Sequence, residues 1–336
     1  AKPAFVLQLA FYSEQLWRLQ GVWPDAMHIM PGTGESVAFR AQDYAAYYRR
    51  VRQRYVATLA SPSPTYPYPV SHCGLCGYAE TCAQQWADDD HLCRVARITR
   101  SQVERLEDHG VRTMHALAEP ASECPDGMSP GVFGRLKGQA ALQDAVSRDG
   151  SHRYELLTPD GATGFSRLPV PSAGDVFFDM EGYPYFEGMQ GLEYLFGLMT
   201  VDQGSPVFHH WSALTRADER LAFEAFVDFV RQRRAIWPDL HVYHYAAYEK
   251  TALRHLAARH GTREQEVEEL LAAEVLVDLY DVVRHALQIS HDSYSIKKVR
   301  TFFMQAEVGT VSDGGQSIVA FEEFLDTREP RSEEHT

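Results

Sequence analysis

Basic charge is in short supply in this chain. Its 32 Lys and Arg face 46 Asp and Glu, a formal net charge of −14 over 336 residues. That balance disfavours a broad nucleic-acid-binding surface, although acids gathered around a cation would add to the same deficit. Cysteine is scarce as well: five residues, an odd number, argue against a disulfide framework and for a reducing, cytoplasmic compartment. No apolar run approaches the ~18 residues of a membrane span, no charged, apolar, small-residue leader opens the chain, and there is no internal repeat. What the chain does have is 45% hydrophobic and 12% aromatic residues, enough for real cores in about two or three domains. Basic charge is concentrated locally, with Arg40, Arg49, Arg50, Arg52 and Arg54 facing only Asp43.

The hydrophobic pattern changes period along the chain. Leu9, Tyr12, Leu16 and Leu19 fall at helical spacing and Gly21 stops that helix. MHIM and SVAFR read as short strands around the turn Pro31–Gly34, and Tyr44, Tyr47, Tyr48, Val51 and Tyr55 mark one face of a long helix, expected to pack in a core. A proline-rich stretch, SPSPTYPYP, leads into HCGLCGYAETC. Residues 88–148 read as small helices joined by glycine turns, two of them around His109-Gly110, and residues 149–172, rich in Gly, Pro and Ser, as a linker. From Asp175 the pattern switches to strands (VFFDMEG, YLFGLMTV, VFHHWSA), then an amphipathic helix over about 218–234, the strand LHVYHY and further helices. This order predicts an α/β domain over 173–327. The opening Ala1-Lys2 suggests a piece of a longer protein, and RSEEHT (331–336) looks like translated adapter sequence and is expected to be non-native.

Chemistry is densest at DVFFDMEG. Strand alternation puts Asp179 and Glu181 on one side, where two acids repel unless a cation lies between them. The alternative is a strand end with two solvated acids. HYAAYE then ends a later strand and places Glu249 in the first turn of a helix, a position the helix dipole also favours. The combination of D-x-E with H-x3-Y-E resembles the DEDD-type exonucleases of the RNase H-like superfamily (YprB-type), whose second motif is N-x3-F/Y-D. Here His244 stands in the Asn position and Glu249 in the Asp position.

The resemblance implies an RNase H-like mixed sheet and 3′–5′ exonuclease chemistry on DNA or RNA. It implies a two-metal site holding Mg²⁺ or Mn²⁺ on Asp179, Glu181 and Glu249, with Asp179 as the bridging ligand. It further implies a nucleic-acid path touched by His244, Tyr294, Lys297 and Lys298, with no membrane partner; a solvated lysine pair is the alternative for the last two. The family's last carboxylate lies on a late helix. Asp313 and Asp326 sit in poor contexts for it, and it is expected beyond the C-terminus of this chain.

Cys73-x2-Cys76-x5-Cys82 has the spacing of an iron–sulfur or zinc site. Cys93 looks like core, Cys124 is distant, and His72 or His91 would complete a zinc site. Q-x3-Y, here Gln8 and Tyr12, resembles a motif of RecB-like PD-(D/E)xK nucleases, some of which carry the same C-x2-C-x5-C. That resemblance implies that residues 1–87 are the truncated C-terminal part of a RecB-like α/β domain with a 4Fe–4S cluster (or zinc). Residues 88–148 would be a helix-hairpin-helix-like connector offering Arg97, Arg100 and Arg112, unless they are a plain helical spacer. The competing expectation is a non-catalytic nucleic-acid-binding scaffold with a degenerate RNase H-like fold and a structural Fe–S or Zn site.

Overall fold

The computed structural model describes residues 3–30, 36–62, 65–159, 161–304 and 314–327. The turn Pro31–Gly34, Asp313 and the 331–336 tail lie outside them. Contacts divide the chain into two units, Ala1–Pro67 with Pro184–Gly191, and Tyr68–Tyr183 with Leu192–Thr336, so the cysteine motif belongs to the second.

In the first unit, α1 (Pro3–Gln20), the antiparallel hairpin β1 (Ala26–Ile29) and β2 (Val37–Arg40), and α2 (Ala41–Ala60) close over Val6, Ala10, Met27, Ala41 and Tyr48. Tyr48 donates its hydroxyl to Glu14, which Arg18 and Arg52 also hold. Only part of the tyrosine face is core. Tyr48 is buried, whereas Tyr47 and Tyr55 are exposed. Gln8 and Tyr12 hydrogen-bond to each other on α1, Nε2 to the hydroxyl at 2.8 Å.

The second unit begins with α3 (Ala79–Asp88), α4 (Arg100–Asp108), α5 (Met114–Ala118) and α6 (Pro130–Asp149). Thr99 and Ser129 cap α4 and α6, and Pro130 takes the first position of α6, where its missing N–H costs nothing. Leu92, Val103, Leu106, Met114, Leu117, Phe133 and Leu136 form the core of this part. Two buried glutamines of α6 tie it to segments distant in the chain: Gln139 Nε2 donates to the Ile289 carbonyl at 2.6 Å, and Gln143 takes the Ala96 N–H at 2.8 Å. Within 149–172 the structure has a short strand, β3 (Tyr154–Leu156), paired antiparallel with β9 (Leu287–Ile289). The pairing partner lies 133 residues further on, which is why local composition reads as a linker.

The main sheet has the order β6-β5-β4-β7-β8: β4 (Val176–Tyr183), β5 (Leu192–Asp202), β6 (Ser205–Ser212), β7 (Val242–His244) and β8 (Leu276–Asp278). β4, β5 and β6 form an antiparallel meander, whereas β4, β7 and β8 run parallel. α7 (Phe186–Met189) lies between β4 and β5 in sequence; α8 (Arg216–Ile236), α9 (Tyr248–His260) and α10 (Glu264–Ala272) follow β6 and β7. Val176, Phe178 and Met180 of β4 bury themselves against Phe223, Phe226 and Val230 of α8 and Leu253 and Leu256 of α9. Phe178 stacks on Phe226 with centroids 4.0 Å apart. Thr215 and Asp218 form a reciprocal capping box that starts α8. After β8 come α11 (Leu279–Ala286), α12 (Ile296–Val299) and α13 (Gly314–Thr327), whose Phe321 stacks on Tyr194 of β5. The result is the mixed-sheet α/β domain expected of an RNase H-like fold.

Candidate active site

Alternation along β4 sends Phe177, Asp179 and Glu181 to the side opposite the α8 core. Register sets their neighbours: Asp179 lies opposite Gly197, and Glu181 opposite Leu195. A bulge between Glu181 and Gly182 then brings Glu193 across from Gly182. A Cβ at Gly182 would sit 2.6 Å from the Tyr248 hydroxyl and 2.7 Å from Glu193 Oε2, so any larger residue would push these two side chains aside. The space serves a bond: Tyr248 donates to both Glu193 oxygens, at 2.9 and 2.8 Å.

Glu249 arrives through a constrained turn. β7 ends at His244, and Ala246 takes a left-handed backbone (φ +81°), unfavourable for a residue with a Cβ. Two side chains hold it there. Asp278 Oδ1 accepts the Ala246 N–H at 2.9 Å as well as the Tyr280 N–H that starts α11. His244 Nδ1 lies 2.7 Å from the Ala246 carbonyl and 3.1 Å from Glu249 Oε2. Both partners accept, so the proton sits on Nδ1. His244 and Glu249 are each buried to 2% exposure, and His244 Nε2 has no hydrogen-bond partner among the described residues.

Electrostatics couples these acids. Asp179 stays open to water in a cleft, yet the burial imposed by the cleft walls, and then the charge of Glu249, raise its pKa. Burial and then Asp179 push Glu181 up to about 7, with Lys297 opposing and Glu193 adding to the rise. Glu193 is raised as well, chiefly by burial. Repulsion of this kind is what a hard divalent cation relieves, and an all-oxygen donor set suits Mg²⁺ or Mn²⁺. Among the described residues, however, no three His, Cys, Asp or Glu side chains lie close enough together to hold an ion as they stand.

The expected nucleic-acid contacts separate into two groups. Lys297 is exposed and within electrostatic reach of Glu181, and Lys298 lies 3.8 Å from Asp292. Tyr294 is a core residue whose hydroxyl donates to Gln139 at 2.9 Å, and His244 faces Glu249 rather than solvent. Arg97 donates to the Arg284 carbonyl at 2.6 Å and Arg100 pairs with Glu104. Cys73, Cys76 and Cys82 are free, partly buried thiols in a 3-10 turn and the start of α3, and Cys73 Sγ accepts the Val70 N–H at 3.3 Å. His91 is engaged by Glu107 and the Cys93 N–H, and burial pushes the Cys93 thiol up to about 11. Sequence reasoning missed Glu193 and the roles of Asp278 and Tyr248. The one available signal for Glu193 was an acid at the head of an otherwise apolar strand.

No curated protein and no solved structure matches this chain. Residues 176–336 match a family model described as RNase_H superfamily, and this C-terminal part of the chain, with its five-stranded mixed sheet, is an RNase H-like domain.

Proposed function

We propose that the RNase H-like domain hydrolyses phosphodiester bonds of DNA or RNA as a 3′–5′ exonuclease with divalent metal, and that Asp179, Glu181 and Glu249 would hold the metal, Mg²⁺ or Mn²⁺. The observation that carries this reading is that Asp179 and Glu181 share one face of β4 in one cleft, where the charge of Glu249 helps raise the pKa of Asp179 and the charge of Asp179 helps raise that of Glu181. Bound there, one or two such ions would supply charge neutralisation and an activated water for in-line attack. The chain's own residues do the rest. Asp179 and Glu181 present oxygens from a rigid strand, while His244 and Asp278 hold the turn that delivers Glu249. Tyr248 orients Glu193 beside them, and Lys297 offers a cation to the phosphodiester. The cysteine motif and the Gln8–Tyr12 pair take no part in these steps.

A second reading, a non-catalytic nucleic-acid scaffold, is favoured by one observation: Glu249 is buried and bonded to His244. Degradation of 5′-labelled single-stranded DNA and RNA with Mn²⁺, compared with Asp179→Ala, separates the two. Stepwise shortening that vanishes in the variant supports the exonuclease. Oligonucleotide binding with no shortening in either protein would leave the scaffold.

A further inference from the structure

In a chain where 46 Asp and Glu outnumber 32 Lys and Arg, one cavity is lined, among the described residues, by three arginines and no acid. It encloses about 150 Å³ where α6 meets β9, and its twelve lining residues include Arg97, Arg135 and Arg284 together with Gln102, Gln139 and Gln288. The walls are tied to each other across the chain. Gln288 Nε2 donates to the Arg135 carbonyl at 2.6 Å, and a Cβ at Gly138 would press on Gln288 Oε1 at 2.7 Å. Arg97 enters on a left-handed backbone (φ +66°), a costly conformation for a residue with a Cβ. Its Nη1 donates to the Arg284 carbonyl at 2.6 Å, and its guanidinium lies over the Tyr294 ring, 5.7 Å from the centroid. Arg284 Nε donates to Asp281 at 2.9 Å, which balances that charge from outside the lining. Arg97 and Arg135 have no ion-pair partner among the described residues, so two positive charges are left over.

We propose that this cavity binds a phosphate monoester, the group carried by a mononucleotide or by a phosphorylated end of a nucleic-acid strand. Charge selects it first. A monoester carries close to two negative charges at neutral pH, matching the two unbalanced guanidiniums, whereas a carboxylate or an internal phosphodiester brings one. Donor geometry selects it next, because a guanidinium presents a planar fork of N–H groups that phosphate oxygens accept in pairs. Leu136 and Leu287 line the same space, and apolar walls strengthen such bonds by excluding water. The volume suits one small anion, being below the ~300–1,000 Å³ of pockets that enclose whole organic ligands. Recognition is therefore of the phosphate and not of a base. This cavity is separate from the carboxylate cleft, and one segment borders both. The Tyr294 side chain lines the arginine cavity, its carbonyl accepts the Tyr245 hydroxyl, and Tyr245 and Ile296 line the cleft. The helical turn at His109-Gly110 takes no part in it. Binding there needs no metal and does not depend on the nuclease reading above.

The test is binding in chelator, where the metal-free carboxylates repel phosphate. Isothermal titration measures thymidine 5′-monophosphate, thymidine, and the dinucleotide TpT, whose single phosphate is a diester. Fluorescence anisotropy measures labelled oligo-dT with a 5′-phosphate, with a 3′-phosphate or with neither. The wild-type chain should bind the monophosphate, TpT more weakly and thymidine not at all. Arg97→Gln and Arg135→Gln should each weaken the monophosphate about 10- to 150-fold, the worth of one charge-assisted hydrogen bond. The Arg135 side chain has no hydrogen bond to lose among the described residues, so Arg135→Gln should melt like wild type. Arg220→Gln, on the exposed face of α8, should bind like wild type. A phosphorylated oligonucleotide that binds more tightly than its hydroxyl counterpart, with the gain lost in Arg135→Gln, would uphold the site and identify a strand end as its source. A monophosphate that binds through Arg135 while all three oligonucleotides bind alike would uphold it for free nucleotides. Equal monophosphate affinity in wild type and Arg135→Gln, with no preference for a phosphorylated end, would overturn the proposal. So would TpT binding as tightly as the monophosphate, or an equal loss in Arg220→Gln.

Discussion

The two faces of β4 are built from alternate residues of one segment and have opposite chemistry. Val176, Phe178 and Met180 are sealed against α8, with exposures of 0, 4 and 5%. Phe177, Asp179 and Glu181 face a cleft where burial and repulsion raise both acids' pKa values. Strand geometry requires the two sets to be rigidly linked, so the packing that makes the core also aims the acids. The core face lowers the free energy of folding, whereas the open face keeps like charges together at a cost to stability. Substitutions on the two faces should therefore move different observables.

The largest contrast is Asp179→Asn against Phe178→Ala. Asp179→Asn should remove several kcal/mol of transition-state stabilisation, on the order of a thousandfold in rate. Its melting temperature should hold or rise, because one repelling charge is gone. Phe178→Ala should cost about 3–5 kcal/mol of stability by opening a cavity beside Phe226. Denaturant melts and turnover assays on both variants check the pair, and a destabilised Asp179→Asn would break the comparison.

Next in size is the clamp on Glu249. His244→Ala should weaken Mn²⁺ binding about 10- to 100-fold by releasing a ligand-orienting bond, and His244→Asn, which can still donate, should recover most of it. Isothermal titration with Mn²⁺ measures both, and equal loss in the two variants would mean the imidazole acts by packing alone.

Metal-free stability should also depend on pH through Glu181. Its folded pKa, about 7, lies above its ordinary value of 4.5, so the folded state binds the proton more tightly than the unfolded chain does. This contribution to stability is complete below about pH 4.5 and is lost as pH rises towards 7 and above. Thermal melts in chelator should show that decline, and Glu181→Gln should flatten it.

The smallest effect belongs to the strained turn. Ala246→Gly should stabilise the fold by about 1 kcal/mol, since glycine adopts φ +81° without a Cβ penalty. A destabilised variant would show that the Ala246 methyl group contributes packing that outweighs the strain.

Much of this was legible in the residues themselves. Period-2 alternation in DVFFDMEG specifies which side chains share a face whatever the strand pairs with, so Asp179 and Glu181 could be read together. Amphipathic spacing marked α8, and the H-x3-Y-E run put Glu249 in the first turn of a helix. Spacing was a weaker guide for Tyr294, which is the right residue type for a nucleic-acid contact but packs in the core against Gln139. Glu193 was hidden because its place beside Glu181 depends on a bulge at Tyr194 of β5 and on the pairing of β4 with β5. Asp278 was hidden because its partner, the Ala246 N–H, lies 32 residues earlier in the chain.

The sequence by itself therefore determined the strands β4 to β7 and the helix α8 between them, the two faces of β4 and the supply of carboxylates, because these follow from local backbone periodicity. Tertiary structure alone decided which acids repel, which histidine orients which glutamate and which aromatics line the cleft, because these depend on register and pairing between segments far apart in the chain.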